Sequence, residues 1–203
     1  MQQTTSDLLK GLNIYLIGMM GVGKTTIGQV LASQLGYQFF DTDVVVEQSA
    51  GQTIAQIFSA VGEAQFRQWE TAALGQLASH TRKVIATGGG IVLQPHNWQH
   101  LRYGLVVWLN APLDLLQQRL QADTTRPLLQ GEDLALRLER LMAQRQALYR
   151  QADVHVPIAA AETPEQIGER VLAAIAQKCQ EKLAMNAQIQ ELNSKMPYQI
   201  TES

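Results

Sequence analysis

Residues 18–25 read GMMGVGKT and match the phosphate-binding loop pattern G-x-x-x-x-G-K-[ST] at every fixed position. Before the loop, residues 13–17 form an apolar run that predicts a short buried strand, and residues 26–35 carry an apolar stripe at helical spacing. This setting suits such a loop, because its backbone N–H groups must surround a polyphosphate at the positive end of a helix. The stretch therefore predicts an α/β fold and nucleotide binding rather than an accidental glycine-rich turn.

Backbone and side chains of this loop have separate expected tasks. Lys24 is expected to reach the outer phosphates as a point charge, and the Thr25 hydroxyl is expected to ligate Mg²⁺. The other nucleotide contacts are expected from the backbone of Gly21, Val22, Gly23 and Thr26.

Composition limits the classes of function. The chain has 203 residues, 46% of them apolar, which suits one α/β domain with an inserted segment or two. A net charge of −2 gives no long-range attraction to nucleic acid or anionic lipid. The first ten residues are too polar for a secretory signal, and no apolar run approaches membrane-spanning length. We expect a cytoplasmic monomer with a small-molecule partner, without nucleic-acid or membrane binding.

Cysteine and histidine usage argues against two further kinds of site. The single cysteine, Cys179, excludes an intrachain disulfide and a cysteine-ligated metal. The four histidines are scattered and lack a metal-ligand spacing.

Apolar runs alternate with helical periods along the chain, which predicts a five-stranded, doubly wound parallel sheet covered on both faces. The expected strands are residues 13–17, 38–40, 83–86, 105–109 and 154–156. Residues 44–79 and 121–132 exceed the needs of plain crossovers and are interpreted as a substrate-binding segment and a lid segment.

The ends of the chain are expected to lie outside the main domain. Residues 1–11 are interpreted as an N-terminal extension, 12–178 as the domain and 179–203 as a polar tail. A frayed tail is favoured over a weak amphipathic helix carrying Met185, Ile189, Leu192 and Met196.

Two carboxylates follow the second predicted strand, at Asp41 and Asp43. Period-two alternation sends both to the same side, into the crevice where parallel sheets bind ligands. One is expected to hold Mg²⁺ through water and the other to face an acceptor. The alternative is a helix N-cap with a charged neighbour.

A glycine triplet, Gly88, Gly89 and Gly90, follows the third predicted strand. Three successive glycines lose backbone entropy on folding, which favours a site where an anionic or hydroxylated substrate presses against bare N–H groups. A tight turn, which ordinarily needs one glycine, is the alternative.

Three arginines are candidate site residues. Arg145 lies on the inward stripe of a helix predicted over residues 134–150, so it must be paired or line a pocket. Arg67 shares a helix face with Glu63 and Glu70, which a solvated ion-pair ladder would also explain. Arg126, in the lid segment, would neutralise charge on a transferring phosphoryl group.

Together these motifs resemble the shikimate kinase family, in order and with similar spacing from about residue 12 to residue 178. The resemblance is carried by the phosphate loop, FFDTD at 39–43, Phe66-Arg67, Glu70, TGGG at 87–90, RPLL at 126–129 and Arg145. It implies a P-loop kinase that uses ATP and Mg²⁺ to phosphorylate the 3-hydroxyl of shikimate.

The resemblance also implies residue roles at the acceptor side. Arg67 and Arg145 would clamp the shikimate carboxylate with help from backbone N–H groups of the glycine triplet, and Glu70 would hold Arg67. Asp43 would bind the hydroxyls and align the 3-hydroxyl with the γ-phosphate.

At the nucleotide side, Asp41 would support Mg²⁺ beside Thr25, and Arg119 with Pro164 would enclose adenine. Arg126 would enter from the lid segment and join Lys24 and Asp43 as a catalytic residue. The loop at 157–162 reads PIAAAE, whereas family members often carry Asp-Thr and basic residues there. Adenine contacts in this loop are therefore expected mainly from backbone and packing.

Other functions remain open at this point. A gluconate kinase or a nucleoside monophosphate kinase would share the phosphate loop. A nucleotide-dependent switch is disfavoured by the absence of an Asn-Lys-x-Asp motif from the sequence. An inactive nucleotide-binding module is disfavoured because the candidate catalytic residues are intact.

Overall fold

The computed structural model describes residues 4–121 and 133–195. Its strands are β1 (Ile14–Ile17), β2 (Gln38–Asp41), β3 (Lys83–Ala86), β4 (Leu105–Asn110) and β5 (Val154–Pro157). The helices are α1 (Thr5–Leu9), α2 (Lys24–Leu35), α3 (Thr42–Ala50), α4 (Ile54–Ala78), α5 (Pro95–Leu101), α6 (Leu113–Leu120), α7 (Leu134–Tyr149) and α8 (Pro164–Lys195), with a short 3₁₀ helix at Ile91–Leu93.

The five strands form one parallel sheet in the order β2-β3-β1-β4-β5, which confirms the predicted sheet. Because β1 and β3 lie inside this order, all of their residues are buried. Their mostly apolar residues, with Lys83 as the exception, follow from helices packing on both faces. The carboxyl ends of β1, β2 and β3 are neighbours and carry the loops that hold the candidate residues.

The segment at 44–79 forms most of α3 and α4, which pack together around a second, smaller hydrophobic cluster. The buried residues of that cluster are Val46, Ile57, Phe66 and Ala73. Helix α4 is 25 residues long, and it bends at Gly62, whose φ of 79° and ψ of 173° are not helical. This bend sets the direction of the helical part that carries Arg67 and Glu70.

Both ends of the chain differ from the expectation. Helix α1 packs against α8, and Leu8 and Leu9 belong to the main core, so part of the N-terminal extension is built into the domain. The expected frayed tail is wrong as far as Lys195, because α8 continues through this stretch. The described side chains at 180–194 are all exposed, so the helix extends without core contacts.

Within residues 4–121 and 133–195, none of the helices combines the length and the apolar character that a membrane crossing requires.

Candidate active site

Loops from three neighbouring strands meet at the carboxyl edge of the sheet. The hydroxyl of Thr25 donates to Asp41 Oδ2 at 2.7 Å, which joins the loop after β1 to the end of β2. The N–H of Gly88 donates to Thr42 Oγ1 at 2.9 Å, which joins the loop after β3 to α3. The structure therefore brings the phosphate loop, the two aspartates and the glycine triplet together.

The phosphate loop has the backbone that its glycines permit. Gly18, Gly21 and Gly23 have φ angles of 140°, 78° and 102°, in the region that residues with a Cβ rarely adopt. Helix α2 begins at Lys24, two residues before the predicted start, so the N–H groups of its first turn open toward the loop. The Lys24 ammonium donates to the carbonyl oxygens of Gly18 and Met19, both at 2.9 Å. The charge predicted for the phosphates thus lies inside the loop.

Asp41 fits both interpretations that the sequence left open, a carboxylate of the ligand site and a helix N-cap. Its Oδ1 accepts from the backbone N–H of Asp43 at 3.0 Å, so it is the N-cap of α3. Its Oδ2 accepts from Thr25, so the same carboxylate also faces the phosphate loop. Among the described residues there is no cluster of three or more His, Cys, Asp or Glu side chains that would hold a metal without other ligands. The Thr25–Asp41 pair nevertheless suits a magnesium ion that takes most ligands from phosphates and water.

Asp43 and Glu70 both border Gly88. An ideal Cβ on Gly88 would meet the carboxylate oxygens of these two residues before any others. Gly88 is therefore needed for close approach, and its place between an acidic side chain on α3 and one on α4 explains the first glycine of the triplet.

Arg67 and Glu70 form a buried ion pair. Arg67 Nη1 donates to Glu70 Oε2 at 2.8 Å, and Glu70 has no exposed surface. Burial raises the pKa of the Glu70 carboxyl, and the Arg67 guanidinium opposes this rise without cancelling it. Burial lowers the pKa of Arg67, but the carboxylates of Glu70 and Glu63 together outweigh this effect, so Arg67 stays charged with a raised pKa. A solvated ion-pair ladder is thereby ruled out for this pair.

The pair also has a partner at the rim and a glycine beside it. Arg67 Nη2 donates at 2.9 Å to Glu63, whose side chain is 52% exposed. On the other side, an ideal Cβ on Gly90 would lie 2.6 Å from the guanidinium carbon of Arg67. The guanidinium is thus packed directly against the glycine triplet.

Arg145 enters the same place from α7. Its side chain is buried, as the helical stripe predicted, and its Nη1 donates to the carbonyl of Gly89 at 3.2 Å. Its Nε is also buried and has no hydrogen-bond partner within the described part of the chain. On the same helix Arg140 is exposed, as expected for a surface charge. Arg145 is therefore a buried cation with a donor left to offer.

The residues expected around adenine are less fully defined. Arg119, on α6, donates through Nη1 to the carbonyl of Val22 at 3.1 Å, which places it against the phosphate loop. Pro164 is the first residue of α8 and is partly exposed. The predicted Arg126 lies outside the described residues, as does most of the lid segment.

The atypical loop after β5 is held by its own side chains. Glu162 accepts from the backbone N–H of Ala159 at 2.7 Å and forms an ion pair with Arg170, while Arg170 Nη2 donates to Pro157 O at 2.7 Å. These hydrogen bonds, led by that from Ala159, lower the pKa of Glu162.

Two residues of the site, Thr42 and Tyr149, were not predicted from the sequence. Thr42 is fully buried and accepts the Gly88 N–H, and Tyr149 is fully buried with its hydroxyl 2.6 Å from the Gly89 carbonyl. The position of Tyr149 one helical turn after Arg145 was the signal that could have identified it.

Comparison with known proteins agrees with this geometry. A model of the shikimate kinase family matches residues 20–176. The chain belongs to the shikimate kinase family. It is therefore a phosphotransferase with a P-loop, as the resemblance implied.

Two relatives named shikimate kinase are similar to this chain over most of its length. The chain is 54% identical over 170 residues to the shikimate kinase of a Nostoc species, covering 84% of this chain and 94% of the relative. It is 50% identical over 172 residues to that of Microcystis aeruginosa, covering 85% and 90%.

Among solved structures, the shikimate kinase of Acinetobacter baumannii in complex with shikimate has a TM-score of 0.79 and 39% identity. That similarity covers 85% of this chain and 97% of the other. A gluconokinase from Sinorhizobium meliloti has a TM-score of 0.57 at 18% identity, which shows a shared fold alone. The shikimate kinase family thus accounts for the motifs together, and the gluconokinase only for the architecture.

Proposed function

We propose that this chain transfers the γ-phosphoryl group of ATP to the 3-hydroxyl of shikimate, giving shikimate 3-phosphate and ADP. The observation that carries the proposal is a buried cluster of Arg67, Arg145 and Glu70 around the glycine triplet, directly beside the phosphate loop. Within this cluster, two guanidinium groups and one carboxylate leave one net positive charge, while the carboxylates of Glu63, at the wet rim, and Asp43, beside Gly88, lie at its edges. A small carboxylate would neutralise that charge.

A carboxylate is the ligand class that suits these donors best. Guanidinium groups present paired N–H donors that match the two oxygens of a carboxylate. The Arg145 Nε is a further buried donor at the cluster, and the proposal also assigns the backbone N–H groups of Gly89 and Gly90 to the carboxylate. A site of this kind holds the acceptor rigidly, so that one of its alcohol oxygens faces the nucleotide.

Asp43 is the proposed aligning group for that alcohol. It lies in the first turn of α3, next to Gly88, between the buried arginine cluster and the Asp41–Thr25 pair. An ordinary aspartate is too weak a base to deprotonate a free alcohol beforehand. Asp43 therefore orients the hydroxyl and accepts its proton late, while the oxygen forms its bond to the γ-phosphorus and the bond to the ADP oxygen breaks.

The nucleotide side supplies charge neutralisation. Lys24 in the loop and Arg119 beside it are the described cations nearest to the proposed phosphate positions. Bound Mg²⁺ would screen the phosphate charge during transfer, and the residues that would hold it are Thr25 directly and Asp41 through water. The proposal also includes the predicted roles of Arg126, which would neutralise charge on the γ-phosphate, and of Pro164, which would pack against adenine.

The proposed enzyme acts as a cytoplasmic monomer. All described groups of the buried arginine cluster (Arg67, Arg145 and Glu70) and of the phosphate loop come from one chain, so the site does not need a partner copy. Net charge near zero gives no attraction to membranes or nucleic acid.

The decisive test is a coupled assay of ADP release by purified protein with ATP, Mg²⁺ and shikimate, together with mass spectrometry of the product. We expect ADP and shikimate 3-phosphate in equal amounts, and no product from Lys24→Met, which controls for contaminating kinases. Gluconate, nucleoside monophosphates and GTP alone are the comparison reactions. Faster turnover of gluconate or a nucleoside monophosphate, or GTP hydrolysis without response to shikimate, would contradict the proposal.

A further inference from the structure

Tyr149 is a fully buried tyrosine at the last position of α7. Its ring stacks on Trp108 of β4, with ring centres 5.8 Å apart and planes inclined by 24°. Its hydroxyl donates to the carbonyl oxygen of Gly89 at 2.6 Å and lies 3.8 Å from the sulfur of Met19 in the phosphate loop. One side chain therefore contacts both the glycine triplet and the first residues of the phosphate loop.

The Gly89 carbonyl receives two hydrogen bonds from the same helix. Tyr149 supplies one, and Arg145 Nη1, one helical turn earlier, supplies the other at 3.2 Å. A carbonyl oxygen has two lone pairs, so both are used. The hydrogen bond from the tyrosine hydroxyl is the shorter of the two. The hydroxyl and the guanidinium together hold the carbonyl in place.

The Gly89–Gly90 peptide needs such a restraint more than an ordinary peptide does. It lies between two residues without a Cβ, so rotation of the whole peptide unit meets little steric resistance. A trans peptide holds C=O and N–H on opposite sides. Fixing the Gly89 carbonyl toward α7 therefore fixes the Gly90 N–H on the side away from α7.

We propose that the Tyr149 hydroxyl is a positioning group, which sets the Gly89–Gly90 peptide and the Arg145 guanidinium for the carboxylate of the acceptor. The proposal rests on the proposed function, because it concerns the same acceptor site. Without the hydroxyl, the carbonyl would depend on Arg145 alone, and the peptide would sample orientations in which the Gly90 N–H is misdirected. Acceptor binding would then include the cost of ordering this peptide.

Packing alone does not account for a tyrosine here. A phenylalanine would preserve the stack on Trp108 and would avoid burying a hydroxyl, which costs free energy unless the hydroxyl is hydrogen-bonded. The hydroxyl is bonded to a carbonyl that borders two of the proposed carboxylate donors. A role in shaping the acceptor site follows from that location.

The test compares Tyr149→Phe with wild type by steady-state kinetics, after the wild type has been shown to phosphorylate shikimate. We expect KM for shikimate to rise about fivefold to tenfold, the factor typical of one lost hydrogen bond. KM for ATP should stay within about twofold, because the phosphate loop keeps its own contacts. Tyr15→Phe, which removes a buried hydroxyl beside Gly104, is the matched control and should leave both constants unchanged.

A double-mutant cycle separates positioning from general destabilisation. Arg145→Lys and Tyr149→Phe act on the same carbonyl, so their effects on KM for shikimate should combine to less than the product of the two. KM does not depend on the concentration of folded enzyme, so a partly unfolded variant still gives a valid ratio. An unchanged KM for shikimate in Tyr149→Phe, independent effects in the cycle, or an equal rise of both KM values would overturn the positioning role. A wild type inactive on shikimate would instead overturn the proposed function.

Discussion

At the scale of single residues, the site depends on charges that water does not screen. Glu70 and Arg67 compensate each other inside the protein, and Arg145 is a second buried guanidinium, whose Nη1 donates to the Gly89 carbonyl. Burying an uncompensated charge is costly, and a site with surplus positive charge is therefore poised to bind an anion. Asp43 lies where the proposed anion and the nucleotide meet.

Asp43→Asn removes a charge and keeps the shape of the side chain. We expect kcat to fall by about 10²–10⁴, the range for loss of a positioned proton acceptor, while ATP affinity changes little. Steady-state kinetics and nucleotide titration measure the two quantities. Asp114→Asn, on the exposed start of α6, is the control for removing one aspartate. Loss of ATP binding with retained kcat would contradict the role given to Asp43.

Arg145→Ala removes one of the two guanidinium groups from the cluster. We expect KM for shikimate to rise about tenfold to a hundredfold, because a charged hydrogen-bond donor is lost from a buried site. Arg140→Ala removes the same charge from an exposed position of α7 and should leave KM unchanged. An unaltered KM in Arg145→Ala would remove this residue from the carboxylate clamp.

Because the Tyr149 hydroxyl is buried, we expect the stability of the protein to depend on pH. Burial raises the pKa of its hydroxyl to about 12, from 10.0, despite the opposing charge of Arg145. The unfolded chain then loses this proton at a lower pH than the folded chain, so stability falls as pH rises from about 10 to about 12. The contribution is about 2–3 kcal/mol over that interval.

Denaturant unfolding at several alkaline pH values measures this effect. The loss of stability with pH should be shallower in Tyr149→Phe than in wild type, with Tyr103→Phe, which changes an exposed tyrosine, as the control. Equal slopes in wild type and Tyr149→Phe would show that the hydroxyl ionises equally in both states.

At the scale of secondary-structure elements, α4 joins a conformational requirement to the acceptor site. The bend at Gly62 has φ of 79° and ψ of 173°, and no atom outside its immediate neighbours lies within 4 Å of where its Cβ would be. The glycine is thus required by the backbone and not by space. The next turns of the same helix carry Arg67 and Glu70.

Gly62→Ala should destabilise the protein by about 1–3 kcal/mol, because a backbone region open almost only to glycine would hold a Cβ. KM for shikimate should rise as well, since the bend directs the part of α4 that carries Arg67. Gly75→Ala in the same helix has helical backbone and only the His100 ring, at 3.4 Å, near its Cβ. Denaturant unfolding should find Gly75→Ala neutral or up to about 1 kcal/mol more stable, and the reverse order would contradict the assignment.

At the scale of the whole molecule, the two ends of the chain have opposite relations to the core. Leu8 and Leu9 of α1 are part of it, whereas the described side chains of α8 beyond residue 179 are exposed. Burial of apolar side chains stabilises by about 1.5–3 kcal/mol for each large residue, while an exposed helical stretch contributes little.

Removal of residues 180–203 should therefore leave the melting temperature, kcat and both KM values nearly unchanged. Removal of residues 2–11 should lower stability by several kcal/mol, because it deletes the buried side chains of Leu8 and Leu9 and the packing of α1 against α8. Calorimetry and the coupled assay measure the two truncations side by side. A large loss of stability in the first truncation would show that the exposed helical stretch is needed by the fold.

The sequence by itself determined the features that rest on local patterns. These features are the phosphate loop, the five strands and the inward position of Arg145. Each depends on residue spacing within one element, with a period of about 2 residues in strands and about 3.6 residues in helices. The common side of Asp41 and Asp43 was also predicted, together with the N-cap alternative, and Asp41 does cap α3 while facing Thr25.

Only the tertiary structure decided which of these local features support one another. The Arg67–Glu70 spacing is the same in a solvated ladder and in a buried pair, and packing against Gly90 distinguishes them. Tyr149 and Gly89 lie 60 residues apart, and α1 packs against α8 although the two helices lie near opposite ends of the sequence. Such contacts depend on how elements pack, and a pattern inside one element does not contain that information. This is why the contact of Tyr149 with Gly89 and the packing of α1 against α8 were not predicted.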